Sequence, residues 1–246
     1  MDAFALSRRQ VLKGGAAAMT VGAMTSLTAL YSRQAMAAGD PTRLAPIPGR
    51  YGPLAPVADD ATGLPLLQLP RGFRYRSFGW SGDLMADGRP CPDRHDGMAV
   101  VTVRKPGHRH DKHDRDISRG HGHELVLIRN HERGGAAPIQ APGMYDTGDI
   151  GGGQVAGGGT TTLTYRNGQW GSVEASLGGT LVNCAGGPTP WGTWLSCEEI
   201  KTDATSSAGK KHGYVFEVHP DASRTSARPL VGLGPFRHAA VAIDPP

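Results

Sequence analysis

Apolar residues in this chain come in short runs separated by glycine, proline and polar clusters. The runs at Met98–Val103, Glu124–Ile128, Thr160–Arg166, Gln169–Ser176, Leu181–Val182, Trp191–Cys197, Tyr214–Val218 and Ala239–Ile243 predict strands, with Arg71–Trp80 (RGFRYRSFGW) as a first one. Asn167-Gly168 sits between two β-branched and aromatic runs, so Thr160–Ser176 reads as a hairpin closed by a two-residue turn. Helical periodicity is absent. Many short strands at near-regular spacing predict an all-β sandwich, barrel or propeller, and the pattern does not choose among them.

The first residues carry a different signal. Ser7-Arg8-Arg9-Gln10-Val11-Leu12-Lys13 is a twin-arginine export motif, followed by an apolar stretch from Gly14 to Leu30 and an A-x-A cleavage site at Ala35-Met36-Ala37. We expect residues 1–37 to be a signal peptide read by the twin-arginine export machinery. The mature protein would then lie in the periplasm or outside the cell, with no membrane association after cleavage. Residues 38–70, rich in proline and glycine, are expected to form an extended arm with little regular structure, leaving 71–246 as the folded domain.

Composition and charge narrow the picture further. The chain has 36 glycines and 19 prolines, which favours turns over helices. Its 26 basic residues exceed its 22 acidic ones, but loss of the leader removes Arg8, Arg9, Lys13 and Arg33 against Asp2 alone. The balance becomes 22 against 21, so the basic character implies no nucleic-acid partner, and no basic stripe with interleaved aromatics is present. Three cysteines, Cys91, Cys184 and Cys197, are an odd number for an oxidising compartment, so at least one is free, ligating or paired between chains. The stretch Arg104–His123 holds His108, His110, His113, His121 and His123 and reads either as a metal-trapping loop or as a solvated insertion.

Candidate chemistry concentrates in Gly178–Glu199 (GGTLVNCAGGPTPWGTWLSCEE). A thiol at one strand end and paired carboxylates at another are able to converge on a metal, and soft sulfur with hard oxygen suits a transition metal beside a harder cation. Glu198 and Glu199 are adjacent, so in a strand they point to opposite faces and only one easily reaches Cys184. Asn130-His131-Glu132 is a second polar cluster at a predicted strand end. Each candidate has a plainer reading: a buried structural thiol for Cys184, a possible disulfide between Cys184 and Cys197, and solvated carboxylates for the glutamates.

That stretch resembles the signature of the PhoX-type alkaline phosphatases. The resemblance runs from about Asp96 to Asp244. It passes through Asp96-Gly97-Met98-Ala99, Leu127-Ile128-Arg129-Asn130-His131-Glu132, Gly158-Gly159-Thr160-Thr161-Thr162-Leu163, His212-Gly213-Tyr214-Val215-Phe216-Glu217-Val218 and Phe236-Arg237-His238. It implies a β-propeller, of which this chain would supply roughly the N-terminal half. It also implies an exported phosphoesterase that acts on small phosphate esters with iron and calcium as cofactors. By the same resemblance Cys184 is an iron ligand. Glu132 and one of Glu198 and Glu199 are iron or calcium ligands, and Asn183 and His238 are weaker candidates. Two departures bear on activity. The family's G-R-F-x-H-E-A block appears here as Gly234-Pro235-Phe236-Arg237-His238-Ala239-Ala240, without its glutamate, and the chain stops at Pro246 where the family continues. A non-catalytic exported β-propeller fragment or metal-binding protein is therefore the rival reading. Neither a phosphate-binding Gly-rich loop with a Lys-Ser/Thr tail nor a Gly-x-Ser-x-Gly elbow is present.

Overall fold

The computed structural model describes residues 50–104, 124–202 and 209–244. The expected leader and most of the histidine-rich stretch lie outside these residues. The chain divides into two units, Met1–Arg76 and Ser77–Pro246.

In the first unit, β1 (Leu54–Val57) and β2 (Leu67–Pro70) pair antiparallel, Leu54 opposite Pro70 and Val57 opposite Leu67. The stretch expected to be an irregular arm thus contains a hairpin. The turn between the strands is set by Asp59, whose carboxylate accepts from the Thr62 amide and hydroxyl. The Tyr75 hydroxyl ties down the approach to β2 by accepting from the Leu66 and Leu67 amides. Arg71–Trp80 forms no strand. Its aromatics are spent on separate contacts, Phe73 against Tyr51 in the first unit and Phe78 stacked on Trp170 in the second.

The second unit holds two antiparallel meanders. One runs β3 (His95–Arg104), β4 (Glu124–His131), β5 (Gly158–Arg166) and β6 (Gln169–Thr180), in that spatial order. The other runs β7 (Asn183–Pro188), β8 (Trp194–Glu198) and β9 (Val215–Val218). The β5–β6 hairpin turns at Asn167-Gly168, both left-handed at φ 52° and 79°, as the two-residue turn requires. Among the described residues no α-helix occurs, and thus no helix long and apolar enough to cross a membrane. The all-β class stands; the described sheets are open and close no barrel or ring.

Alternation along β4 shows how one strand serves two layers. Val126 and Ile128 are fully buried, and Ile128 joins Leu177, Trp194, Phe216 and Val218 in a core shared by the two meanders. Leu127 faces the opposite way, toward Leu163, Val173, Ile139 and Met85. A third cluster, Leu195, Cys197 and Val215, lies against Leu230, Val241 and Ile243.

Two strand assignments shift around the polar cluster. Leu181–Val182 is not a strand; the strand begins at Asn183 and runs through Gly186-Gly187, with the turn following at Thr189–Gly192. Ala239–Ile243 is irregular, although it runs beside β7, where the Ala239 carbonyl accepts from the Ala185 amide at 3.0 Å. Gly186-Gly187 lie inside β7 and not in a turn. The glycines there permit close packing, since a Cβ at Gly186 would stand 1.7 Å from the Leu195 carbonyl oxygen.

Candidate metal centre

Four chain segments meet at the ends of β3, β4, β7 and β8, joined by a short series of backbone hydrogen bonds. The Glu132 amide donates to the Arg94 carbonyl at 2.9 Å, the Val182 amide to the Arg133 carbonyl at 2.8 Å, and the Glu199 amide to the Val182 carbonyl at 2.8 Å. Two non-glycine residues in this series, Arg94 (φ 52°) and Val182 (φ 50°), take the left-handed conformation. That conformation is unusual for any L-residue and most costly for a β-branched one, so the surrounding bonds must hold it.

The result is a cluster of two carboxylates and a thiol. Asp96 on β3, Glu132 just past β4 and Cys184 on β7 each offer a ligand atom, all within 4.8 Å of one another, and each is half-buried. Burial, followed by the neighbouring Asp96 carboxylate, holds the Glu132 pKa above its usual value; Glu199 adds to the rise and Arg94 opposes it. The Cys184 thiol is pushed up to about 11 by burial, by its hydrogen bond to Glu199, and by the charges of Asp96, Glu199 and Glu132. The Asp96 and Glu132 carboxylates, crowded this closely with Glu199 nearby, repel one another and keep the thiol protonated. A cation relieves that repulsion and drives the thiol to thiolate, so the donor set fits a metal and mixes hard oxygen with soft sulfur.

A buried hydrogen-bond chain fixes the Cys184 backbone. The Thr180 hydroxyl donates to Asn183 Oδ1 (2.6 Å), Asn183 Nδ2 to the Ser196 hydroxyl (2.9 Å), and that hydroxyl to Asn130 Oδ1 (2.9 Å). Asn130 Oδ1 also accepts from the Trp194 indole at 2.9 Å, while its Nδ2 donates to the carbonyls of Cys184 (3.0 Å) and Ala185 (2.9 Å). Asn130 and Asn183 are fully buried and spent on one another's neighbours, so they position Cys184 and do not stand beside it as donors. Gly97 completes the packing: a Cβ there would lie 2.5 Å from Ala185 Cα. Gly97→Ala should therefore destabilise the protein by about 1–3 kcal/mol, measured by denaturant unfolding, and lower its metal content by displacing Cys184 from Asp96.

The remaining candidates separate. Glu199 extends toward Cys184, whereas Glu198 faces the interior at 0% exposure. There Glu198 accepts from the amides of Leu181 (2.8 Å), Gly213 (2.7 Å) and Tyr214 (3.1 Å) and contacts His212 Nδ1 at 2.6 Å. The His238 ring bonds the Gly234 carbonyl at 3.0 Å and meets Phe236 edge-on. His131 is buried between the Asp93 carbonyl and the Thr161 hydroxyl, and burial brings its pKa down to about 3, so it is neutral. All three cysteines are free, and Cys184 forms no disulfide with Cys197. Cys197 is fully buried, its thiol pushed up to about 12 by burial and by Cys184.

Sequence reasoning did not nominate Asp96, although Asp96-Gly97 was visible as a motif. It also missed the buried triad in which His212 Nε2 contacts Asp146 Oδ2 at 3.2 Å while Nδ1 faces Glu198. Only the placement of Gly97 against Ala185 marks Asp96 out, and no local signal pairs His212 with either carboxylate.

Comparison with curated proteins and with solved structures gave no match. A protein-family model does match, over residues 49–176 and 172–246, and those ranges span every segment that contributes to the cluster. By that match the chain belongs to the alkaline phosphatase PhoX family.

Proposed function

We propose that this protein is an exported, metal-dependent phosphoesterase acting on phosphate monoesters, with Asp96, Glu132, Cys184 and Glu199 as the residues that hold its metal. The observation that carries the reading is the convergence of a thiol and two carboxylates from three separate elements within 4.8 Å, inside the region the family model matches. Iron at Cys184 with calcium on the carboxylates is the pairing that the resemblance to the family implies, and a donor set of one sulfur with several oxygens is compatible with it. Cations bound there would neutralise phosphoryl oxygens and stabilise charge on the attacking and leaving oxygens. The chain's own contribution is to hold three carboxylates and a thiol in place through the Asn130 and Asn183 network and the strained backbone at 94 and 182. In this reading the two meanders are blades of a propeller, residues 1–37 are a leader, and the protein works in the periplasm or beyond.

A specific observation favours a second reading, a metal-binding protein without turnover. Ala239 occupies the place of the family's glutamate, and its carbonyl is bonded to the residue after Cys184. An oxygen ligand is thus missing beside the cluster, and Ala239→Glu should raise calcium content and activity if this position is limiting.

The test is elemental analysis and p-nitrophenyl phosphate hydrolysis on the purified protein before and after chelation. The phosphoesterase reading expects bound iron and calcium, and activity that chelation removes and metal return restores. Protein that takes up neither metal would sink it. Metal without hydrolysis would favour the second reading.

A further inference from the structure

Three carboxylates around Cys184 make the approach to the cluster negative, so an incoming anionic ester needs a cation at its edge. Three arginines lie near it in sequence, and two are committed elsewhere. Arg129 is buried, its guanidinium donating to the Gly79 carbonyl (3.0 Å) and the Cys91 sulfur (3.1 Å). Arg133 pairs with Asp93 at 2.9 Å and donates to the carbonyls of Ala137 and Gly157. Arg94 differs from both. It is exposed, and its guanidinium has no side-chain or backbone partner among the described residues.

Its backbone is nonetheless tightly placed. Arg94 stands two residues before Asp96, and its carbonyl receives the Glu132 amide at 2.9 Å, so it is anchored to two of the candidate ligands. The left-handed φ of 52° is a conformation arginine seldom takes unless tertiary contacts impose it. We propose that Arg94 is a substrate-binding residue that grips the phosphoryl oxygens of an ester presented at the Asp96–Glu132–Cys184 cluster. The inference rests on the phosphoesterase reading above. A planar guanidinium offers two parallel donors to two phosphoryl oxygens, which an ammonium does not, and a solvent-facing one is free to do so.

The experiment is calorimetric titration of inorganic phosphate into the metal-loaded full chain, comparing wild type with Arg94→Asn and Arg94→Lys. Asparagine tolerates the left-handed conformation and removes the charge, so the backbone bond to Glu132 survives. Arg94→Asn should weaken phosphate binding about 10- to 100-fold at unchanged metal content, and Arg94→Lys should recover part of the loss. In turnover the same variants should raise KM for p-nitrophenyl phosphate more than they lower kcat. Phosphate affinity equal to wild type in Arg94→Asn overturns the assignment and leaves the phosphoesterase reading intact. Loss of metal in that variant also overturns it, showing that Arg94 serves to hold Glu132. A wild-type chain that takes up no metal defeats the phosphoesterase reading, and Arg94's role with it.

Discussion

His212→Leu should lower the stability of the unit Ser77–Pro246 by about 3–5 kcal/mol, the range for removing one partner from a buried charge set. The His212 ring is 1% exposed, and each of its nitrogens faces a carboxylate, Glu198 at 2.6 Å and Asp146 at 3.2 Å, themselves almost fully buried. A neutral imidazole has a single N–H and would turn a lone pair toward one of those carboxylates, so the ring is held as imidazolium. Burial by itself opposes that charge, but hydrogen bonds and charge from Glu198 and then Asp146 outweigh it, and the His212 pKa lies above its ordinary value of 6.5. Burial likewise works against charge on Asp146, yet the amides of Lys210 and Gly148, with His212, bring its pKa below 3.8.

The two shifts set the pH window. His212 binds its proton more tightly when folded, so its contribution is complete below pH 6.5 and declines as pH rises through the raised folded value. Asp146 contributes fully above pH 3.8 and loses its contribution as pH falls through the lowered folded value. Denaturant unfolding of wild type should therefore show stability falling as pH rises above 6.5, and His212→Leu should flatten that limb. A leucine variant with the wild-type midpoint and the wild-type alkaline limb would show that the triad contributes nothing.

Cys184→Ser should reduce bound metal by at least about 100-fold in affinity, with phosphatase activity falling alongside. Loss of an outer partner of a metal ligand alone costs 10- to 100-fold, and here a ligand itself is replaced by a hydroxyl that does not ionise near neutral pH. Stability should change little, by about 1 kcal/mol, because the side chain is only half-buried and its backbone is held by Asn130. Cys197→Ala is the matching control: this thiol is fully buried in the Leu195–Val215 cluster, so its loss should cost stability and leave the metal in place. Serine at 184 with undiminished iron would make Cys184 a structural thiol, and the cluster would need another explanation.

The two predictions separate residues that are neighbours in the chain. Glu198 and Glu199 were indistinguishable as letters beyond the rule that adjacent strand residues face opposite ways. Their environments then diverged completely, one receiving three backbone amides and an imidazolium in the interior, the other lying beside a thiol at the surface. Asn183, a weaker candidate by resemblance, is buried while its neighbour Cys184 is half-exposed, because in β7 the neighbour of a residue on one face belongs to the other face. Strand ends were the least legible part of the fold. Val182 is left-handed where Leu181–Val182 reads as a strand, and Ala239–Ile243 carries a strand composition but lies alongside β7 without regular pairing.

From its sequence by itself the chain is an all-β protein with antiparallel hairpins. Period-2 alternation and the Asn167-Gly168 turn are local properties that tertiary contacts did not need to supply. Cys184 and Glu132 were legible as candidates too, a thiol and a carboxylate at predicted strand ends inside motifs that resemble the family's. Tertiary structure alone decided the partners. Asp96 joins them because a glycine after it lets β3 approach Ala185, Glu199 joins because the Val182 carbonyl receives its amide, and Glu198 leaves because His212, fourteen residues away, folds back to meet it. Those outcomes depend on distances between segments far apart in the chain, set by packing and by the pairing of buried charge, and no local pattern encodes them.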